Sequence, residues 1–279
     1  MQIGEAAKEM KLMLKDKYEF SDLLDIMERL RCEDGCPWDR EQTHESLKRY
    51  LIEETYEVLE AIDLKDRDKI CEELGDVLLQ VVFHAQIGKE KGEFSIDDVI
   101  TEVCRKLIRR HPHVFGEVKA DTSEQVLENW EAIKKKEKGI ESHTGVLKDV
   151  PANLPALMRS YKVQQKAALV GFDWDNVDDV INKVYEELYE LKDVYKSENM
   201  ERITDEIGDI FFSMVNLSRF LKVQPELALT RTINKFIRRF EFMEKESIKA
   251  GKKLEDMSLA EMDELWNIAK GYSSENNSL

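Results

Sequence analysis

KICEELGDVLLQVVF, residues 69–83, is charged on its left and almost wholly apolar on its right. The right half has the composition of a buried helix, yet Gly75 and Asp76 stand at its entrance. Glycine inside a helix costs about 1 kcal/mol relative to alanine. A carboxylate on a buried face costs more unless something positive meets it. The oddity recurs at residues 202–215, RITDEIGDIFFSMV, and recurrence makes it evidence.

Aligning the two Gly-Asp sites aligns much else. Glu53, Glu54, Glu57, Glu73 and Asp76 correspond to Glu186, Glu187, Glu190, Glu206 and Asp209 at a constant offset of 133. Upstream, GCPWD at Gly35 matches GFDWD at Gly171, offset by 136. Downstream, KLIRR at Lys106 matches KFIRR at Lys235, offset by 129, and NWEAIK matches LWNIAK, offset by 136. The offset changes only between segments, as differences in loop length require. The chain is an internal duplication, its halves meeting near KGIESHTGVLKDVPANLP, where prolines and glycines gather.

Composition sets the fold class. Of 279 residues, 36% are charged and 42% hydrophobic, while glycine and proline are scarce, which favours amphipathic helices over a turn-rich β protein. Strand-like alternation is absent. Asp39 with Gln42, Thr122 with Gln125, and Ser258 with Glu261 have the spacing of helix-starting capping boxes. We therefore expect an all-α protein of two tandem helical bundles. A net charge of −16 argues against sequence-independent nucleic-acid binding, which needs a basic face. It permits anionic ligands that a metal ion bridges to acidic side chains. The four cysteines fit a reduced protein better than a disulfide framework. The charged start of the chain lacks the apolar core of a signal peptide, and the longest apolar run is too short for a membrane span. The expectation is a soluble, cytoplasmic protein without a membrane partner.

The acids have the spacing of a site. Glu54 and Glu57 share a helix face with Glu53 beside them, and Glu73 and Asp76 share a face of the next helix. The short connection LKDRD makes those helices antiparallel neighbours, so the carboxylates converge. Alone they would repel and raise one another's pKa values. With Mg²⁺ they become hard oxygen ligands that leave positions for water and phosphate. Asp76 is then compensated by metal, and Gly75 admits a neighbouring helix or a ligand at close range. Basic residues accompany the acids: Lys69 and Arg202 one turn before Glu73 and Glu206, then Lys106 with Arg110 and Lys235 with Arg239. Lys134 and Lys270 each lie one turn after a tryptophan, Trp130 and Trp266. Carboxylates for metal, cations for phosphate and a ring beside a base are what a nucleoside triphosphate requires.

At these residues the sequence closely resembles the MazG family of nucleoside triphosphate pyrophosphohydrolases. The family pattern E-E-x-x-E, spacer, E-x-x-D appears as EETYE…ELGD and EELYE…EIGD. The first copy adds CPWDREQTHESL and RRHPHVFG; the second lacks the QTH and HPHVF strings, so no role of His44, His111 or His113 transfers to it. The resemblance implies an N-terminal extension over 1–20, MazG-type domains over 21–138 and 154–279, and a linker over 139–153. It implies the fold of the all-α NTP pyrophosphatases, usually completed by homodimerisation. It further implies Mg²⁺-dependent hydrolysis, with Mn²⁺ as an alternative, of a nucleoside triphosphate to the monophosphate and pyrophosphate, a housecleaning activity. By similarity, Glu54, Glu57, Glu73 and Asp76, with Glu187, Glu190, Glu206 and Asp209, would ligate metal. Glu53 and Glu186 would orient or deprotonate the attacking water. In-line attack at phosphorus needs mainly positioning and charge neutralisation, so no histidine base is required.

The rivals fare worse. A di-iron bundle wants two E-x-x-H motifs, and the second copy has no histidine past His143. A zinc site from Cys32, Cys36 and His44 lacks a second ligand pair. An acidic scaffold, or a sensor that binds nucleotide without hydrolysis, sits poorly with acids and bases retained in both copies.

Overall fold

In the computed structural model, which describes residues 15–140, 142–197 and 199–275, every regular element is helical. The chain forms two compact units that divide after Lys134. Of the expected N-terminal extension, residues 1–14 lie outside the described residues.

The first unit holds helices α1 (Phe20–Arg31), α2 (Pro37–Glu41), α3 (Lys48–Leu64), α4 (Arg67–Lys91), α5 (Ile96–Arg110), α6 (Pro112–Phe115) and most of α7 (Ser123–Glu137). α3 and α4 form an antiparallel hairpin, α1 packs on α4, and α5 follows α4. Met27, Leu47, Val82, Phe83 and Ile87 make the core, with Leu23, Leu24, Tyr50 and Leu79 against it. LKDRD turns the hairpin by two devices. Lys65 takes the left-handed conformation at φ 56°. Asp66 then caps α4, its carboxylate accepting from the amides of Asp68 and Lys69 at 3.1 Å each. The GCPWD string is held where the chain leaves α1. A Cβ on Gly35 would strike the Leu30 carbonyl, and the Arg31 guanidinium bridges Glu90 of α4 at 2.7 Å and the carbonyls of Asp39 and Gln42.

The second unit holds α8 (His143–Lys148), α9 (Ala156–Ala168), α10 (Val177–Val194), α11 (Met200–Phe220), α12 (Pro225–Lys249), a 3₁₀ turn (Leu254–Asp256) and α13 (Leu259–Glu275). α10 and α11 repeat the hairpin, α9 packs on α11 and α12, and α12 packs on α13. Val180, Val194, Val215 and Met243 are buried. The stretch 139–153, expected as a linker, contains α8, which packs on α9.

Local readings divide. Ser258 and Glu261 form the expected reciprocal box, at 2.9 and 3.3 Å. At Thr122 the hydroxyl caps Gln125, but the Gln125 side chain accepts from Asp121 one residue earlier. Asp39 starts no helix: it lies inside α2, which Pro37 opens, and Gln42 ends that helix. Proline at the first helical position fixes φ and overrides the box spacing. The apolar run of α4 is buried on one face only, for Leu74, Leu78 and Val81 are exposed. Gly75 admits no neighbouring helix among the described residues; a Cβ there, or at Gly208, would meet nothing within 4 Å.

Candidate active site

The hairpin register sets the site. Glu57 and Glu73 interact directly across α3 and α4, and the charge of Asp76 acts on Glu54 one turn along. Oxygens of Glu54, Glu57 and Glu73 lie within 4.8 Å of one another, and so do those of Glu187, Glu190 and Glu206 in the second unit. Asp76, half-buried, and Asp209, exposed, stand outside those triads. Glu53 and Glu186 are exposed at the edge.

The electrostatics are those of charge held in excess. Burial, then the charges of Asp76, Glu57 and Glu53, push the Glu54 carboxyl above its ordinary range. Glu73 is raised by burial and by Glu57. Glu190 is raised by burial, then by Glu187 and Glu206. Each triad is an all-oxygen donor set of the kind hard divalent cations take, and such an ion relieves the repulsion that raises these groups.

The basic residues fall into two sets. Lys69 sits by the first triad and bonds Glu60 at 2.9 Å, whereas Arg202 is exposed, its backbone amide capped by Asn199. Farther along, Arg110 lies 5.1 Å over the Trp130 ring and Arg239 lies 5.5 Å over Trp266, so both copies stack an arginine on a tryptophan. His111 adds an edge contact to Trp130, and Phe236 packs on Trp266. Lys106 and Lys235 are exposed. Lys134 approaches Glu131 at 3.9 Å, and Lys270 donates to Asn267 at 2.9 Å.

Sequence reasoning missed Lys183. Its ammonium reaches Glu187 at 2.7 Å and Glu186 at 2.9 Å, and those carboxylates raise its pKa. The i,i+4 spacing that singled out Lys69 also fits Lys183 and Glu187 and would have found it. Also missed was the pair His44 and His84, whose Nδ1 atoms stand 2.7 Å apart, with Phe94 stacked on His44.

The model of the MazG nucleotide pyrophosphohydrolase domain matches residues 42–115 and 176–242, one segment in each unit. A Thermotoga maritima relative named nucleoside triphosphate pyrophosphohydrolase/pyrophosphatase MazG is 50% identical over 252 residues, covering 90% of this chain and 96% of its own. The chain belongs to the MazG family. Two further relatives agree in extent. The nucleoside triphosphate pyrophosphohydrolase of Escherichia coli K12 is 44% identical over 89% of this chain and 95% of its own length. An uncharacterised Bacillus subtilis protein, YabN, is 52% identical over 94% of this chain, which spans 53% of that relative. Both MazG segments include a full carboxylate hairpin and the Arg110 or Arg239 region, and stop before Trp130 and Trp266. MazG membership suggests a divalent-metal requirement, and the two triads are compatible with one. No helix among the described residues is long and apolar enough to cross a membrane.

Proposed function

We propose that this protein is a nucleoside triphosphate pyrophosphohydrolase, cleaving a nucleoside triphosphate between the α and β phosphates to a monophosphate and pyrophosphate. The observation that carries the reading is the carboxylate triad repeated at one hairpin position in both units, in a chain of the MazG family. The relatives' names agree with it.

In this reading Glu54, Glu57, Glu73 and Asp76 hold Mg²⁺, or Mn²⁺ in its place, and Glu187, Glu190, Glu206 and Asp209 do the same in the second unit. When bound, the ion supplies positive charge against the triphosphate and the leaving pyrophosphate. Glu53 and Glu186, at the edge of each triad, orient the attacking water or take its proton. Lys69, Lys106, Arg110 and Lys134, with Arg202, Lys235, Arg239 and Lys270, receive phosphate oxygens, and Trp130 and Trp266 hold the arginines beside them. The chain acts as a cytoplasmic homodimer in nucleotide-pool control.

Phosphorus NMR of the protein with each common nucleoside triphosphate and Mg²⁺ tests the reaction. Monophosphate plus pyrophosphate, abolished by a chelator, is the expected result. Diphosphate plus orthophosphate would place cleavage at the other anhydride bond and defeat the proposal.

A further inference from the structure

Gln80 interrupts the apolar run of α4. It is 6% exposed, and its carboxamide oxygen has no hydrogen-bond partner among the described residues. Burying an acceptor without a donor incurs the full desolvation penalty, so such a group calls for a partner. Its position says what kind. Glu73, Asp76 and Gln80 follow one another at helical spacing on one face of α4. The register that pairs Glu57 with Glu73 and Glu54 with Asp76 places Tyr50 of α3 across from Gln80 in the next layer. Tyr50 in turn meets the ring of Trp38 edge-on at 5.9 Å, and Trp38 is half exposed.

The two ends of the hairpin site therefore differ in chemistry. Past Glu73 on one side is the ammonium of Lys69, suited to phosphate. Past Asp76 on the other side come a carboxamide and two aromatic rings. Rings stack on bases, and a carboxamide, with one acceptor and two donors, reads a base edge or a ribose hydroxyl. Of this layer the second unit keeps only the tryptophan, Trp174 at the position of Trp38. At the offset of 133, Tyr50 becomes Lys183 and Gln80 becomes Ser213. Ser213 is also buried, but its hydroxyl already donates to the Ile210 carbonyl at 3.0 Å.

We infer that Gln80 is a specificity residue of the first unit, hydrogen-bonding the nucleoside of the substrate against the Trp38 and Tyr50 rings. The second unit, with Lys183 and Ser213 in that layer, discriminates among nucleosides differently. The inference rests on the pyrophosphohydrolase reading above. A site built to hydrogen-bond a substrate group rejects ligands that leave its polar atoms unpaired.

The test is equilibrium binding by the full chain of the α,β-methylene triphosphates of adenosine, cytidine, guanosine and uridine with Mg²⁺. Inorganic tripolyphosphate serves as the ligand without a nucleoside, and Glu187→Gln silences the second unit throughout. Gln80→Met is expected to change the ratio of the tightest to the weakest nucleotide about tenfold, near the value of one hydrogen bond. Tripolyphosphate affinity should stay within about twofold. Gln80→Ser, which copies the second unit, should shift the ratio in the same direction, and circular dichroism of both variants confirms folding. An unchanged ratio in a folded variant overturns the inference. Equal weakening of tripolyphosphate overturns it too, since Gln80 would then merely support the carboxylates. If the parent chain bound neither nucleotide nor tripolyphosphate, the pyrophosphohydrolase reading itself would fall.

Discussion

At the scale of single residues, the triads hold more negative charge than their surroundings favour, and that has a measurable sign. Glu54, Glu73 and Glu190 are raised above the ordinary carboxylate range. A raised acid stabilises the fold fully below its unfolded value and loses that contribution as pH climbs through the folded one. Metal-free protein should therefore lose stability from these groups as pH rises from their ordinary value near 4.5 through the raised range. Asp34 and Glu261 act the other way. Both are lowered to about 2, Asp34 by Cys32 and Arg29 and Glu261 by Lys252 and Ser258, so their contribution is lost only as pH falls towards that value. Replacing Glu73 by Gln removes one of the crowded charges. Thermal unfolding in EDTA at neutral pH should then occur at higher temperature than in the parent, while the rise produced by Mg²⁺ should shrink. A lower melting temperature in EDTA, with the Mg²⁺ response intact, would mean that the triad is not strained and does not hold the ion. The acids were legible in the sequence because three-apart and four-apart spacing survives without a structure. Gln80 and Tyr50 were not, because pairing them needs the register between two helices, which only the packed hairpin supplies.

At the scale of elements, helices and their order follow from composition and spacing, and the misreadings are local. Asp39 and Gln42 had box spacing, but Pro37 starts the helix earlier. Gly75 reads as room for a neighbouring helix or a ligand, and no helix uses that room, for among the described residues a Cβ at Gly75, or at Gly208, meets only open space. That leaves the helical cost of glycine unopposed within the described residues. Gly75→Ala should thus stabilise the first unit by about 1 kcal/mol, the ordinary helical difference between the two residues. Urea unfolding, with unchanged dependence on denaturant, would read this directly. A destabilised variant would show that something beyond the single chain approaches the backbone at that point. The hairpin turn offers a control, because Asp66→Ala removes the cap of α4 and should cost about 1 kcal/mol.

For the whole molecule, the duplication extends to what the hairpins leave uncovered. Leu74, Leu78 and Val81 of α4 are exposed, and so are their counterparts Ile207, Phe211 and Met214 of α11 at the same offset of 133. Ile52 and Tyr56 of α3 are exposed, as are Tyr185 and Tyr189 of α10. Apolar residues scattered singly over a surface need no explanation, but stripes at helical spacing repeated in both units do. A two-helix hairpin covers only one side of each helix, and a four-helix bundle is the arrangement that covers the other. The stripe was hidden in the sequence because an apolar run reads as buried whether its own chain or another one covers it. The stripe shares α3 and α4 with the carboxylates, and the proposed homodimer would bury it against a second copy. Sedimentation equilibrium should give twice the 32.6 kDa mass of the chain. Leu78→Lys places an ammonium in the middle of the α4 stripe, where joining a partner would bury it at a cost of several kcal/mol. The variant should sediment at lower mass and, if the partner also shapes the carboxylate site, lose Mg²⁺-induced stabilisation with it. Its helix content should hold, since Leu78 is already 41% exposed in the single chain. A parent chain that sediments as a monomer would remove the homodimer from the proposal, and the two apolar stripes would then need a covering partner of another kind.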